Sequence, residues 1–262
     1  MKPAPFEYVR AESVEHAVET LREHGDDAKV LAGGQSLVPA LNMRLARPSV
    51  IVDLNRVLGL DGLDAENGSV RVGALVRQAT AERSPLVREE CPLLAETLPF
   101  VGHFATRNRG TVGGSIAHAD AAAELPVALV AAGGEVVTSS RTIPAEEFFV
   151  SHYTTALEPD EVVVATNWPR LRDGEGFAFE EFALRHGDFA LATVACVIGA
   201  DRVRVAIGAV TDRPVLLRDD DPAAAAAAVD PPPNLHASPE YRRRLVSVLV
   251  EHAVTRARAV AE

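Results

Sequence analysis

The chain has 262 residues, 26 of them basic and 37 acidic, a formal charge of −11, and is 47% hydrophobic; it can bury a core, and it is neither disordered nor built for nucleic acid or an anionic membrane surface. Its two cysteines, Cys91 and Cys196, exclude a disulfide scaffold, a cysteine-rich zinc site and an Fe–S cluster held by this chain alone. No apolar run approaches the roughly 20 residues of a membrane-spanning helix, and Met1-Lys2-Pro3-Ala4-Pro5-Phe6-Glu7 lacks the apolar stretch of a secretory signal, so the expected location is cytoplasmic.

Ser13 is placed to cap a helix over Val14–His24, where Val14, Ala17, Val18 and Leu21 share one apolar face and Gly25 is the stop. Lys29-Val30-Leu31-Ala32 reads as a strand entering the turn Gly33-Gly34. Residues 36–45 read as a short helical or coiled connection, and Ser49-Val50-Ile51-Val52-Asp53-Leu54 as a second buried strand. Strand, crossover and strand predict a small parallel βαβ unit. Further on, Val70-Arg71-Val72-Gly73-Ala74 predicts a strand and 80–90 and 92–100 predict helices. Glu124–Ala132 predicts a buried helix ending at Gly133-Gly134, and Glu135–Thr138 and 161–165 predict strands. Residues 177–179, Ala190–Gly199 and 202–210 read as successive strands of an antiparallel meander. The alanine run 223–228, followed by three prolines, reads as a loop or linker. Residues 241–260 read as a closing helix with Leu245, Val248, Leu249, His252 and Ala253 on its core face. The fold class expected is α+β: a βαβ lobe over 1–58, a second lobe over 59–172, and a smaller C-terminal α+β domain over 173–262 with an antiparallel sheet and the closing helix.

Two motifs stand out. Ala32-Gly33-Gly34-Gln35-Ser36 follows a strand, and Arg107-Asn108-Arg109-Gly110-Thr111-Val112-Gly113-Gly114-Ser115 lies in a stretch rich in glycine, threonine and arginine. Each sets paired glycines beside small hydroxyl residues. Glycine permits φ > 0 and removes the Cβ that would hold a ligand off, so successive N–H groups can converge on an anion, with Ser36, Thr111 and Ser115 adding hydroxyls. Such loops suit a diphosphate even on an acidic protein, because long-range repulsion is screened over roughly 8 Å. Neither loop has the spacing of a Rossmann or P-loop nucleotide site.

The motifs in their order, continued by Ile116-Ala117-His118-Ala119-Asp120, then Glu124-Leu125-Pro126, Arg185-His186-Gly187-Asp188-Phe189-Ala190 and Tyr241-Arg242-Arg243, resemble the FAD-binding medium subunit of the molybdenum hydroxylases. That family includes carbon monoxide dehydrogenase and the flavin portion of xanthine dehydrogenase. The resemblance covers nearly the whole chain. It implies a two-lobed, vanillyl-alcohol-oxidase-like FAD domain with a C-terminal domain behind it. It implies that Lys29, Val30, Leu31, Ala32, Gly33, Gly34, Gln35 and Ser36 wrap the diphosphate, and that Thr111, Val112, Gly113, Gly114 and Ser115 add backbone donors. Glu124 would stand where relatives commonly have an aspartate hydrogen-bonded to FAD, Val163 would touch the adenine or flavin ring, and Val101 would line the site. Asp120 is either a cofactor contact or a turn and cap residue. Two departures are visible: Ala121 replaces a common proline, and Glu180 and Glu181 occupy a region that often contributes a lysine to the flavin.

The resemblance further implies an electron-transfer subunit of a multi-component molybdenum hydroxylase. A large subunit would carry the molybdenum cofactor, and a small subunit would carry [2Fe–2S] clusters and pass electrons to FAD on this chain, which would pass them to an external acceptor. No residue of this chain is expected to act as a general acid or base, and none to bind a metal. Ser115, His118 and Asp120 lack the elbow motif of a hydrolase nucleophile. Arg107 and Arg109 are the candidates for the partner-facing vicinity of the flavin loop. The competing expectations are a stand-alone FAD-dependent reductase or oxidase and a non-catalytic nucleotide-binding or assembly protein.

Overall fold

The structure is a computed structural model and describes residues 2–233 and 235–261. Strand β1 (Glu7–Arg10) leads through helix α1 (Val14–His24) to β2 (Ala28–Leu31), and the short α2 (Leu37–Asn42) connects β2 to β3 (Val50–Asp53). β3 lies between the other two and pairs parallel with both. It is buried along its whole length, which is why its sequence is apolar without alternation. β1 has no such signal: its side chains are largely exposed, and sequence reading passes over it. Ser13 caps α1 by accepting from the His16 N–H at 3.2 Å, and Gly25 ends it at φ 53°. Ala17 and Leu21 pack with Val50, Val52 and Leu54 in the first hydrophobic cluster.

The middle of the chain builds an antiparallel sheet and a helical layer. β4 (Leu63–Glu66) and β5 (Ser69–Gly73) pair, and six helices follow: α3 (Gln78–Arg83), α4 (Pro85–Glu90), α5 (Pro92–Thr97), α6 (Phe104–Arg107), α7 (Val112–His118) and α8 (Glu124–Ala132). Then come β6 (Glu135–Thr138), β7 (Thr142–Pro144), α9 (Ala145–Phe148), β8 (Phe149–Ser151), β9 (Thr154–Thr155) and β10 (Val163–Pro169). The sheet order is β4-β5-β10-β6-β7. The single helix expected over 80–90 is two helices, because Ser84 takes an extended conformation and caps α4, with Pro85 as its first residue. The strand expected at 161–165 starts two residues later. Glu161 is instead drawn into hydrogen bonds from Thr138, Ser140, Arg141 and the Glu158 N–H. All nine residues of α8 are buried. Its last carbonyls are taken by two arginines, Arg204 on Val130 and Ala131 and Arg202 on Ala132. That satisfies acceptors a buried helix end would leave orphaned and sets positive charge at its negative pole.

The last third is a meander of β11 (Gly176–Ala183), β12 (Ala190–Gly199), β13 (Arg202–Gly208) and β14 (Val215–Leu217), followed by α10 (Pro222–Ala227) and α11 (Pro239–Ala261). One face of this sheet presents Phe179, Ala195, Val197 and Ala206 to the core around α8. The other presents Ala178, Val194, Cys196 and Ile207 to α11. Two expectations are corrected here. The alanine run is a helix, capped by Asp221 accepting from the Ala223 N–H at 2.8 Å with Pro222 at its first position; alanine's helix propensity prevails once a cap is supplied. The buried face of α11 is Val246, Leu249, Val250, Ala253, Val254 and Ala257, rotated from the stripe expected, with Val248 and His252 exposed.

Candidate functional site

The first glycine motif leaves the C-terminal end of β2 as a loop. A Cβ on Gly33 would lie 2.5 Å from the Arg109 carbonyl oxygen and 2.8 Å from Gly110 Cα, so only glycine lets this loop press against the second motif. Gly34 has φ +73°. The main-chain N–H groups of Gly33, Gly34, Gln35 and Ser36 have no acceptor among the described residues. Four successive N–H groups beside a positive-φ glycine are thus left as donors, the arrangement from which backbone anion sites are built.

The second motif behaves differently. Thr111 caps α7 by accepting from the Gly114 N–H at 2.9 Å. The N–H groups of Val112, Gly113 and Ser115 bond to the carbonyls of Val76, Ala74 and Thr111. A Cβ on Gly113 would stand 2.5 Å from Ala74 Cα, and one on Gly114 2.6 Å from Thr111 Oγ1. Here the glycines permit packing of backbone on backbone and a tight cap. The free donors lie in the first loop, and the second motif braces it.

A polar clamp that sequence reading missed holds the two motifs together. Arg77 donates to the Arg109 carbonyl and to Asn55 Oδ1, both at 2.6 Å. Asn55 Nδ2 donates to the Ala32 carbonyl at 2.8 Å and to Asp53 Oδ1 at 2.6 Å. Asp53, at the end of β3, also accepts from the Asn55 N–H and the Tyr8 hydroxyl. Burial opposes its charge, yet the hydrogen bonds from Tyr8 and Asn55 and the charge of Arg77 hold its pKa below the usual carboxylate value. The available signal was Asp53-Leu54-Asn55 just past a buried parallel strand, the edge where such sheets take ligands. Arg77 gave none.

Val101, Asp120 and Glu124 make no hydrogen bond to the clamp among the described residues. Val101 is buried, and its carbonyl accepts from Arg107 at 3.2 Å. Arg107 also pairs with Glu82 at 2.8 Å and donates to the Gly102 carbonyl at 2.9 Å. It is only 8% exposed; its charge is consumed inside the chain, which corrects its expected place on a partner-facing surface. Arg109 is exposed. Asp120 accepts from the Ala122 N–H at 2.9 Å and the Tyr153 hydroxyl at 3.1 Å, the behaviour of a turn residue. Glu124, at the start of α8, is 7% exposed. Burial first, then the charges of Glu181 and Asp120, push its pKa up to about 8. Val163 is buried in the middle core, whereas Val162 and Val164 face the first cluster. Lys29 is exposed on β2, and Gln35 and Ser36 are exposed on the loop.

The residues fit a dinucleotide in one respect that can be read from the chain itself: the free N–H row at 33–36 is the donor set a diphosphate requires. Among the described residues no group of three or more His, Cys, Asp or Glu side chains is arranged to hold a metal ion. No helix is long and apolar enough to cross a membrane.

Comparison with known proteins defines the class. Residues 4–171 match the family described as the FAD binding domain in molybdopterin dehydrogenase. The chain belongs to this family of FAD-binding oxidoreductase components. It is 42% identical to the 6-hydroxypseudooxynicotine dehydrogenase complex subunit alpha of Paenarthrobacter nicotinovorans, over 98% of this chain and 96% of that one. Its fold superposes on a chain of carbon monoxide dehydrogenase from Hydrogenophaga pseudoflava with TM-score 0.94, at 33% identity and 99% coverage of both chains. Quinoline 2-oxidoreductase from Pseudomonas putida 86 matches with TM-score 0.90 and 33% identity, over 100% of this chain and 99% of that one.

Proposed function

We propose that the chain is the electron-transferring flavoprotein subunit of a multi-component molybdenum hydroxylase. It would work in the cytoplasm between a large molybdenum subunit, a small [2Fe–2S] subunit and an external acceptor. The observation that carries the reading is the row of four free N–H groups at Gly33, Gly34, Gln35 and Ser36, fixed in place by Asn55 and Arg77. FAD, when bound, supplies the redox chemistry. The chain's own residues do the rest. The first loop takes the diphosphate, Ser36 and Ser115 offer hydroxyls at its rim, and the second motif keeps the loop closed. Val101, Asp120, Glu124 and Val163 would be the residues that hold the cofactor's ring end. In this reading residues 1–58 and 59–172 are the two lobes of a vanillyl-alcohol-oxidase-like FAD domain, and 173–262 close the ring end from behind. The name of the relative from Paenarthrobacter nicotinovorans, a subunit of a dehydrogenase complex, supports the assembly. So does the lack of enough cysteines here for a cluster.

The test has two parts. Flavin released by denaturing the purified protein should chromatograph as FAD; FMN, or no flavin even after reconstitution with FAD, overturns the cofactor assignment. Co-expression with candidate partner subunits should yield a complex containing molybdenum and iron. A chain that stays alone and oxidises a small substrate by itself at ordinary enzymatic rates overturns the subunit assignment.

A further inference from the structure

Helix α7 begins against the first loop, where a Cβ on Gly114 would lie 3.5 Å from Ala32 Cβ, and His118 ends it about 6 Å further on. The chain then turns through Ala119, at φ 50°. The Ala119 carbonyl accepts from the Tyr153 N–H at 3.0 Å, and Tyr153 is itself left-handed, at φ 58°. A left-handed backbone is uncommon for a residue with a Cβ, and such outliers persist only where their surroundings hold them. Here two of them are bonded to each other, and the second carries a tyrosine that stays 56% exposed.

The Tyr153 ring is fixed by three neighbours. Its hydroxyl donates to Asp120 Oδ2 at 3.1 Å. The His152 imidazole stacks on it, with ring centres 3.8 Å and planes 26° apart, and the His118 imidazole lies against it at 4.8 Å. His152 Nε2 stands 3.8 Å from Asp120 Oδ1, and the His152 side chain is half exposed. Burial holds the pKa of His118 below the ordinary imidazole value, against the attraction of Asp120, so that ring is neutral at pH 7. Core packing does not account for the stack, because Tyr153 belongs to none of the hydrophobic clusters.

A flat π surface with a carboxylate at its edge selects what can lie on it. The N–H groups of Ala119, Ala122, Ala123 and Tyr153 are spent on Ser115, Asp120 and Ala119. Among the described residues no lysine or arginine bonds to the cluster. With Asp120 in place, on a chain of charge −11, this is the wrong donor set for the diphosphate of a nicotinamide dinucleotide. A neutral planar ring is not repelled by that charge. It stacks on tyrosine and imidazole, and a carbonyl at its rim accepts from the exposed imidazole of His152. We propose that His152 and Tyr153 form the docking platform of the external electron acceptor, and that this acceptor is a neutral quinone. The inference rests on the flavoprotein reading above, in which Asp120 belongs to the ring end of FAD.

The test titrates the FAD-loaded protein with duroquinone by calorimetry; the fully substituted ring of this probe does not add to thiols or amines. The wild type should bind duroquinone saturably. Tyr153→Asn, which supplies a residue that accepts the left-handed backbone, and His152→Ala should each raise the duroquinone Kd about two- to tenfold by loss of a stacked ring. Tyr153→Phe keeps the ring and loses only the hydroxyl, so its Kd should stay within about twofold of wild type, a rescue that a purely structural role for the Tyr153–Asp120 bond would not give. NAD+ should give no heat of binding. Flavin released from each variant reports the cofactor site separately. No saturable binding of duroquinone to the wild type, or an unchanged Kd in both Tyr153→Asn and His152→Ala, overturns the platform while the FAD reading stands. NAD+ binding that Tyr153→Asn abolishes overturns the quinone assignment. Loss of FAD from Tyr153→Asn shows that the stack belongs to the cofactor and overturns the inference. If the wild type cannot be loaded with FAD, the FAD reading and the inference fall together.

Discussion

Arg77→Met keeps the length and apolar stem of the side chain but removes every donor from the clamp. Two hydrogen bonds are lost, to Asn55 Oδ1 and to the Arg109 carbonyl, each 2.6 Å long. Hydrogen bonds from a charged donor contribute about 1.5–3 kcal/mol each when well buried. Arg77 is half-buried and water can reach part of the vacated site, so about 1 kcal/mol each is the fitting figure, roughly 2 kcal/mol in all. For a chain of this size that is a fall in Tm of about 4–8 °C. The same loss frees the 32–36 loop from its brace. If half of the 2 kcal/mol is felt as loop disorder that the ligand must reverse, FAD affinity drops about fivefold, and if all of it is, about thirtyfold. Arg77→Lys should recover only part of the loss, because one ammonium cannot span two divergent acceptors as the planar guanidinium does. The assay pairs thermal unfolding of the apo protein with FAD titration followed by quenching of flavin fluorescence. An Arg77→Met protein whose FAD Kd lies within twofold of wild type, with Tm within a degree, refutes the argument that the clamp registers the loops.

Three further outcomes are expected. Gly33→Ala forces the Arg109–Gly110 backbone to retreat by close to an ångström, an overpacking cost of about 1–3 kcal/mol; a wild-type FAD Kd in this variant would show that the loops do not need their close contact. Glu161, whose pKa lies at about 2 because hydrogen bonds from Arg141, Ser140 and Thr138 outweigh burial, contributes stability above pH 4.5 that is lost as pH falls towards 2. Glu161→Gln should therefore cost about 2–3 kcal/mol at pH 7 and almost nothing at pH 2, measured by urea unfolding at both pH values, and a cost independent of pH contradicts it. Glu124 has the opposite sign: with its folded pKa raised to about 8, the wild type loses stability as pH rises from about 4.5 to 8. Glu124→Gln should leave the apo protein unchanged below pH 4.5 and raise its Tm increasingly up to pH 8, and a uniform shift across that range would sink the assignment of a retained proton.

Much of this protein is written locally. Ser13 and Gly25 bound α1, Gly133 ends α8 at φ 72°, and the apolar runs of β3 and β12 state that both their faces are covered, because caps, stops and burial periods act within one turn or one strand. The motif at 32–36 was legible for the same reason: a strand end, two glycines and a serine are chemistry carried by neighbours. The tertiary structure decided what depends on register and on distant partners. β1 is a strand because β3 offers it an edge, not because Glu7-Tyr8-Val9-Arg10 has a pattern. The N–H groups of the second motif are spent because 74–78 happens to lie beside it, so two similar glycine motifs have different duties. Arg107 is withdrawn from the surface by Glu82, 25 residues away in sequence. Arg77 clamps Asn55 to Arg109 across gaps of 22 and 32 residues. Glu180 and Glu181 read as one acidic pair along the chain, but the pleat sends one to Arg256 and the other to face α8. A sequence states which groups are available, and only the packing of sheet on helix determines which of them are left without a partner and so remain free to bind.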